Sequence, residues 1–505
     1  MSVSGTDQRG RARHSLGTLV RFWNLIERRA GWLLALMLLG YGLLFSAASI
    51  YKLYTLRQGF DLAGNEQTIW NTMHGRFFRT SIFAMMDYDF DDGPVLLEIP
   101  LAALYALYPS TSTLLVLQTL AITLGAWPLY ALVRDLWGRS SAGLVAAALY
   151  LLHPTVQHMN LYEFQYRSFC MAFALAAFYF FERRRWGWWA LFLFLAMATK
   201  TESALFAAAF GLYALLRRRP WYTVVPPIVV GLAWFYIALF VVVPRFTHGE
   251  GSFVGGIYSY GYLGETFPEV LRTLLTRPLF VFSVLFQPAK LRFLVSLFFL
   301  SAFLPLLAPG PLLTALPIFL LNLLSPNPVQ FSLYYQYQGL TLPALVVSSW
   351  YGLEQLLRFG RQRLGWDGER AFALALLLLL AFGLLNCALW KNALWSVVRN
   401  RDTPQRIVDA RAVLAQVPAD APVAASSFLA PFLAQREQLY FFPGNRSYPE
   451  AYIARAAYIV TDTSSLLPPR GHELLAIYRQ SGEWEVVVQQ GDFILLRRVG
   501  FSPSP

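Results

Sequence analysis

The sequence is poor in charge. Only 14% of its 505 residues are Asp, Glu, Lys or Arg, whereas soluble domains average about a quarter. Hydrophobic residues make up 56% of the chain, and the segment Ala371–Trp390 contains no charged residue. A helix of about 20 such residues crosses a hydrocarbon core about 30 Å thick. This composition excludes an ordinary soluble protein for most of the chain.

Several common site chemistries are also missing. The chain has two cysteines, Cys170 and Cys387, and both lie in apolar runs, so neither a disulfide nor a thiolate metal site is predicted. His153 and His158 are five residues apart and do not share a helical face, which disfavours a metal pair. There is no glycine-rich phosphate loop and no nucleophile elbow.

The few charged residues are distributed in a regular pattern along the chain. The net charge is +12, and the basic residues form short clusters between apolar runs, as in the cytoplasmic loops of membrane proteins. We therefore predict a membrane partner and no nucleic acid. No small-residue cleavage site follows the first apolar run, so we expect a retained span. The composition becomes that of a soluble protein after Asn400.

These features predict a mainly α fold, a polytopic transmembrane helical bundle with a small C-terminal α/β domain, in a multi-pass plasma membrane protein. We expect a cytoplasmic basic N-terminus (1–29), a transmembrane domain (30–398) with outer loops 51–93 and 244–292, and an extracytoplasmic domain (399–505). About eleven spans are predicted, near residues 31–53, 112–133, 140–157, 168–181, 187–199, 202–216, 221–243, 293–308, 311–324, 340–357 and 371–394.

One apolar segment is ambiguous. Pro94–Pro109 is short, carries Glu98 and contains three prolines. If it crosses the membrane, the loop Arg134–Arg139 falls outside. If it lies in the interface or re-enters, that loop falls inside with Arg183–Arg185 and Arg217–Arg219. We prefer the interfacial assignment because arginine-rich loops stay inside.

The C-terminal domain shows strand patterns. We expect strands at Pro422–Ser426, Leu439–Phe442 and Ala457–Thr461, a helix at Leu429–Arg436, and a final hairpin turning at Gly491. The order strand, helix, strand predicts a parallel pair. We expect this domain to act as a lid or as a docking surface for an acceptor.

Two carboxylates in the first outer loop are candidate catalytic groups. Asp61 and Asn65 are four residues apart and share a helix face, while Glu66 lies off it. Such a carboxylate suits a general base or a divalent cation. The alternatives are that Asp61 caps a helix and that Glu66 is solvated.

Three charged residues near later turns are candidates for binding a donor phosphate. Lys200 and Glu202 interrupt an apolar hairpin, and Arg167 ends the polar stretch Tyr162–Arg167. The alternatives are a structural ion pair at Lys200–Glu202 and an arginine that snorkels to the interface. Because isolated charges at membrane depth are unfavourable, we expect Asp61, Arg167, Lys200 and Glu202 to meet in one cavity.

A third set is acidic. Asp87, Asp89 and Asp91 point to one side of an extended segment and would suit a divalent cation such as magnesium, manganese or calcium; the alternative is a solvated acidic loop.

Taken together, these stretches resemble a bacterial membrane family known as domain of unknown function 2079. That family typically reads FDLGIFDQ-x-x-WNTLHG where residues 60–75 read FDLAGNEQTIWNTMHG. Other similar stretches are Pro100–Tyr108, Leu117–Tyr130, Lys200–Glu202, Ser325–Pro328 and Ala424–Pro443. The family tends to have histidine near the positions of Asp91, Gln165 and Gln336, and these departures put a family metal or proton-transfer site in question.

The family's layout is similar to that of the C-type glycosyltransferases (GT-C), such as protein mannosyltransferases and lipid A aminoarabinose transferases. That similarity implies a polyprenyl-phosphate sugar donor, with Asp61 in the position of the catalytic or cation-associated acid and Pro94–Pro109 as an interfacial helix. The function expected is sugar transfer to an acceptor on the outer face. The alternatives are a non-catalytic scaffold or complex subunit that binds lipid, and a transporter, disfavoured because no inverted repeat is visible.

Overall fold

The computed structural model describes residues 22–83, 93–246, 260–390, 393–444, 450–466 and 469–501. Asp87, Asp89 and Asp91 lie outside the described residues, so the cation site expected there stays a prediction. Most of the described chain is helical, and a small sheet forms near its C-terminal end.

The helices are numbered in chain order. They are α1 (Ala30–Tyr54), α2 (Phe60–Met73), α3 (Glu98–Tyr105), α4 (Thr111–Trp137), α5 (Ser140–Leu152), α6 (Pro154–Leu161), α7 (Arg167–Glu182), α8 (Trp186–Met197), α9 (Ser203–Leu216), α10 (Trp221–Ile237), α11 (Val243–Phe246), α12 (Phe267–Thr276), α13 (Pro278–Leu285), α14 (Pro288–Leu300), α15 (Leu312–Leu324), α16 (Thr341–Arg363), α17 (Gly368–Leu389), α18 (Ala393–Arg399), α19 (Pro404–Leu414) and α20 (Arg470–Gln480).

Four helical stretches are long and apolar enough to cross a membrane. They are Ala30–Tyr54, Thr111–Trp137, Trp221–Phe246 and Gly368–Arg399. The pair α13 and α14, bent by 63°, would make a fifth if it is one span, and α5, α8, α9 and α15 are shorter apolar helices. The fold is thus a mainly helical membrane protein. Helix overlaps each of the eleven predicted spans, but length and composition do not establish eleven crossings.

Helix α3 occupies the ambiguous segment. Its eight residues rise about 12 Å, which is too short to cross a hydrocarbon core of about 30 Å. The helix packs against α2, and the backbone N–H of Leu97 just before it donates to the carbonyl oxygen of Ala198 at 2.9 Å. This helix therefore does not cross the membrane by itself, and the interfacial assignment of Pro94–Pro109 stays a prediction.

The basic loops meet at one end of the helical bundle. The loop after α4 contacts the end of α7 and the start of α17, and the end of α7 contacts the loop after α9. The ion pairs are Arg183–Asp135 at 2.7 Å, Arg217–Glu182 at 3.0 Å and Arg139–Glu369 at 2.6 Å. The loops that the charge pattern assigned to one side therefore do share one side of the protein.

The sheet has five strands in the order β2-β1-β3-β5-β4. The strands are β1 (Val423–Ala425), β2 (Leu439–Phe441), β3 (Tyr458–Asp462), β4 (Trp484–Gln490) and β5 (Phe493–Arg498). Strand β1 pairs in parallel with β2 and β3, while β5 is antiparallel to β3 and β4. The expected strands and the parallel pair are confirmed. The expected helix at Leu429–Arg436 is wrong, because only a single 3₁₀ turn forms, at Ala430–Leu433.

Helices cover both faces of this sheet. Leu474 and Leu475 of α20 pack on one face. On the other face, Ala410 of α19 belongs to the same core as Val423, and Ala63 of α2 belongs to it too. Helix α2 thus joins the C-terminal domain to the rest of the protein, and the candidate site lies at its first turn.

Candidate functional site

The first turn of α2 is capped by a residue from another segment. The N-cap is Gly59, which has no side chain to accept hydrogen bonds, and Glu163 Oε2 accepts one from the Leu62 N–H at 3.0 Å. Gly59 has to be small, because a Cβ there would lie 2.6 Å from Ser427 Oγ. The interpretation of Asp61 as the helix cap is therefore wrong, and its carboxylate is available for other contacts.

Asp61 lies among polar groups from two other segments. Gln165 Nε2 donates a hydrogen bond to Asp61 Oδ2 at 2.8 Å, and the Tyr162 hydroxyl also donates to this carboxylate. Burial raises the pKa of Asp61, while the positive charge of Lys200 is the strongest influence that lowers it. The residue keeps part of its surface accessible, as expected for a group lining a cleft.

Arg167 and Glu202 form a close ion pair across this cleft. Arg167 Nη2 lies 2.5 Å from Glu202 Oε1, and Nε donates to the same oxygen at 2.7 Å. The guanidinium also lies over the ring of Tyr337, 5.0 Å from its centroid. Only 8% of the Arg167 side chain is exposed, so the snorkelling interpretation is wrong. Glu202 pairs with Arg167 rather than with Lys200.

Lys200 is positioned by the turn between α8 and α9. The segment before α3 runs beside this turn, and Gly93 makes the approach possible: its φ is +87°, and a Cβ there would overlap the Thr201 hydroxyl. The structure therefore brings together Asp61, Arg167, Lys200 and Glu202, as the sequence predicts. Lys200 and Glu202 are both partly exposed, so the cleft is accessible.

The formal charges in this cleft balance among the described residues. Glu163 interacts electrostatically with both Asp61 and Lys52, and Lys52 Nζ donates to the carbonyl oxygens of Leu161 and Tyr162 at 2.6 and 2.8 Å. The cations are Lys52, Arg167 and Lys200; the carboxylates are Asp61, Glu163 and Glu202. Neighbouring charges of opposite sign offset part of the free-energy cost of removing each charge from water.

Gln118 holds the loop that carries Gln165 and Glu163. It is fully buried in α4; its Nε2 donates to the Glu163 carbonyl oxygen at 3.1 Å, and its Oε1 accepts from the Gln165 N–H at 2.7 Å. Sequence reasoning gave Gln118 no role. The sequence feature that could have identified Gln118 is a single amide side chain within an apolar span, because a buried polar group needs a hydrogen-bond partner.

Glu66 belongs to a different site. It is fully buried on another face of α2, where the Tyr105 hydroxyl donates to Oε1 at 2.7 Å and Gln435 Nε2 donates to it at 3.2 Å. Burial raises the pKa of Glu66 to about 7. The interpretation of Glu66 as a solvated residue is wrong, and the structure does not bring it to Asp61. Its catalytic role stays a prediction.

The departures from the family pattern fall in different places. Gln165 donates directly to Asp61, and Gln336 is buried in the loop that carries Tyr337. Within the described ranges, no three His, Cys, Asp or Glu side chains form a group that could hold a metal ion. The predicted requirement for a divalent cation stays a prediction.

Comparison with solved structures gives distant similarity. The crystal structure of ArnT from Cupriavidus metallidurans bound to undecaprenyl phosphate superimposes with a TM-score of 0.49 and 14% identity, covering 92% of this chain and 99% of that one. The apo structure of the same protein gives 0.48 and 16%, with the same coverage. Similarity at this level does not establish a shared activity. Among the curated proteins no significant match is found.

The comparison with protein families is decisive. The model described as "Predicted membrane protein (DUF2079)" matches residues 52–495, which include every described residue of the cleft and nearly all of the C-terminal sheet. Since that match spans well over half of the sequence, the chain belongs to the DUF2079 family of membrane proteins.

Proposed function

We propose that this protein is a membrane glycosyltransferase that moves a sugar from a polyprenyl-phosphate donor to an acceptor on the outer face of the plasma membrane. The observation that carries the proposal is the cleft itself, where a carboxylate with a raised pKa lies beside Lys200 and the Arg167–Glu202 pair. The divalent cation that the sequence predicts at Asp87, Asp89 and Asp91 would supply further positive charge for the donor phosphate.

Asp61 is the proposed general base. It takes the proton of the acceptor hydroxyl as the acceptor oxygen bonds to the anomeric carbon, while the bond from that carbon to the phosphate oxygen breaks. A carboxylate with a raised pKa is a better base than an ordinary one. Tyr162 and Gln165, which donate hydrogen bonds to Asp61, hold the carboxylate in place.

Lys200 is the proposed contact for the donor phosphate. Its ammonium group interacts with Asp61, so a phosphate bound to Lys200 would place the scissile bond beside the base. Arg167 is already paired with Glu202, so we propose that it acts on the donor phosphate through the electric field of the ion pair. Glu202 holds the arginine in position.

The orientation of the chain follows from the two ends of the bundle. The arginine-rich loops meet at one end, which we assign to the cytoplasm, and eleven crossings would place the cleft and the C-terminal domain at the opposite, outer face. A lipid-linked donor would reach the cleft from the membrane, and the acceptor from outside.

A polar pocket beside α2 supports binding of a polar acceptor. It has a volume of about 340 Å³, lies between the segment after α2 and strand β2, and is lined by Arg76, Arg79 and Arg455 together with Glu437. Arg76 pairs with Glu437 at 3.1 Å, and the lining offers both hydrogen-bond donors and acceptors to a polar ligand. We propose that the C-terminal domain docks the acceptor here.

Two variants test the proposal. In cells that lack the chromosomal gene, Asp61→Asn should fail to restore the glycan profile measured by mass spectrometry, since loss of a general base lowers rates by about 10²–10⁴-fold. Purified Lys200→Met should bind undecaprenyl phosphate more weakly, whereas Asp61→Asn should still bind it. The control is Glu473→Gln, on exposed α20. Full complementation by Asp61→Asn at normal expression would contradict the proposal.

A non-catalytic scaffold is the second candidate. The observation in its favour is the Arg167–Glu202 pair, because a guanidinium already joined to a carboxylate at 2.5 Å needs no ligand to satisfy it. A scaffold of this kind would keep its function in Asp61→Asn and lose it only when the ion pair is broken.

A further inference from the structure

A second cavity lies within the helical bundle, apart from the cleft. Residues of helices α5, α14, α16 and α17 line it. Most of its lining is apolar, for example Leu149, Leu304, Trp350 and Phe382. None of the lining residues carries a formal charge when His153 is neutral, and none belongs to the cleft around Asp61.

Two buried polar side chains with unpaired nitrogens line this apolar space. His153 is 7% exposed and Asn386 is 3% exposed, and neither His153 Nε2 nor Asn386 Nδ2 has a hydrogen-bond partner in the described part of the chain. His153 Nδ1 accepts from the Thr155 N–H at 3.3 Å, so in the neutral ring the proton is on Nε2. Each of these two lining residues therefore has one buried hydrogen-bond donor without a partner.

Two buried donors without acceptors are unfavourable, and native proteins rarely leave them so. One carbonyl oxygen has two lone pairs and can accept from both donors without bringing a proton of its own. A hydroxyl group would bring a further donor, and an anion would find no cation in the lining. The chemistry of the lining thus favours a ligand with a neutral carbonyl group attached to an apolar chain.

The donors lie at the ends of their helices. His153 directly follows α5, and Asn386 is in the last turn of α17, which is part of a stretch long enough to cross the membrane. A span of about 20 residues that begins at Gly368 ends near Asn386, so we infer that these helix ends lie where the hydrocarbon gives way to the polar region of the bilayer. The ester carbonyls of membrane glycerolipids lie in that zone, with the acyl chain directed toward the hydrocarbon.

We propose that this cavity is a binding site for one acyl chain of a neutral glycerolipid, with its ester carbonyl accepting hydrogen bonds from His153 Nε2 and Asn386 Nδ2. The acyl chain lies among Leu304, Trp350 and Phe382. The site is independent of the sugar-transfer cleft and would exist whether or not the protein is an enzyme.

The test compares two lipids and two variants on the full-length protein, stripped of lipid in detergent. Dioleoylglycerol should raise the melting temperature and be retained in native mass spectrometry. Its ether analogue, which lacks the carbonyls, should bind at least about five-fold more weakly, as expected for the loss of two hydrogen bonds. Asn386→Leu should reduce the preference for the ester, whereas Leu384→Ala, at an exposed position on α17, should keep it.

The comparison of the ester lipid with the ether lipid needs only the wild-type protein, so it tests the proposed site even if a variant folds poorly. Equal binding of ester and ether, or no binding of either, would overturn the proposal. In the absence of lipid, Asn386→Leu should melt at a higher temperature than the wild type because it removes an unpaired buried donor. A lower melting temperature there would mean that water or protein already satisfies the amide.

Discussion

Arg167 Nη2 and Glu202 Oε1 are 2.5 Å apart, and this ion pair joins the start of α7 to the turn before α9. Neither side chain is well exposed: 8% of the arginine and 16% of the glutamate side chain contact solvent. The pair also fixes the position of the loop that carries Tyr337, since the guanidinium lies over that ring. The guanidinium of Arg167 thus holds together three segments of the chain that are distant in sequence.

Breaking this pair from one side should destabilise the protein. Arg167→Met leaves Glu202 as an unpaired, mostly buried carboxylate and should lower the free energy of unfolding by about 3 kcal/mol, whereas Arg167→Met/Glu202→Leu should lower it by less. The control is Arg497→Met, because Arg497 and Glu485 form an exposed pair, also at 2.5 Å, worth under about 1 kcal/mol. Thermal unfolding in detergent measures all three; additive effects in the double variant would contradict the expectation.

Gln67 should prove essential for docking the C-terminal domain. This buried side chain accepts from the Ser81 N–H at 2.9 Å and from Thr80 Oγ1 at 3.0 Å, and it donates to the carbonyl oxygens of Arg436 and Glu437. Gln67→Ala leaves these groups unpaired and should destabilise the protein by at least about 2 kcal/mol.

Limited proteolysis would measure the loss of docking, with cleavage near residue 81 or release of the C-terminal domain at lower protease concentration. The matched control is Gln405→Ala, which removes an exposed amide contact to Asp409 within α19. Equal protease resistance of Gln67→Ala and Gln405→Ala would show that the domain is held by its apolar core alone.

Sequence patterns identified much of the architecture because they reflect short-range physics. The structure agrees with the apolar stretches and with the strands of the C-terminal domain, and it gives Pro94–Pro109 a helix too short to cross the membrane. The convergence of Asp61 with Lys200 was also predictable, because isolated charges in apolar sequence must find partners. Arginine-rich loops predicted which ends of the helices lie together.

The sequence did not predict which side chains pair with each other across separate segments. Nothing local in the sequence shows that Glu163 caps α2, or that Glu202 selects Arg167 rather than the nearer-in-sequence Lys200. Those choices depend on how separate loops pack. Glu66 shows the same limit: its neighbours in sequence suggest a solvated loop, whereas Gln435 and Tyr105 enclose it from other segments.

The orientation of the two ends can be tested by labelling. A cysteine replacing Glu473, on α20 of the C-terminal domain, should react with a membrane-impermeant maleimide in intact cells, whereas one replacing Arg358 at the arginine-rich end should react only after permeabilisation. Both sites are exposed at the protein surface, so reactivity reports sidedness. The background should lack Cys170 and Cys387. The reverse pattern would invert the topology and place the cleft in the cytoplasm.

Glu66 should make stability depend on pH. Its pKa is about 7 in the folded protein, against 4.5 for the unperturbed group, so the folded state holds a proton that the unfolded state releases. The stability contributed by protonated Glu66 is therefore full below about pH 4.5 and is lost as the pH rises toward 7. Over that window the loss amounts to roughly 3 kcal/mol, since one pKa unit corresponds to about 1.4 kcal/mol.

Glu66→Gln removes that dependence while keeping the shape of the side chain. An amide at this position cannot ionise, so we expect the variant to be more stable than the wild type at pH 8 and to show a flatter stability profile between pH 5 and pH 8. Tyr105 and Gln435 can still donate to the amide oxygen. Glu473→Gln, in an exposed position, should leave the profile unchanged. If the stability of the wild type and that of Glu66→Gln fall equally between pH 5 and pH 8, then the pKa of Glu66 is not raised in the folded protein.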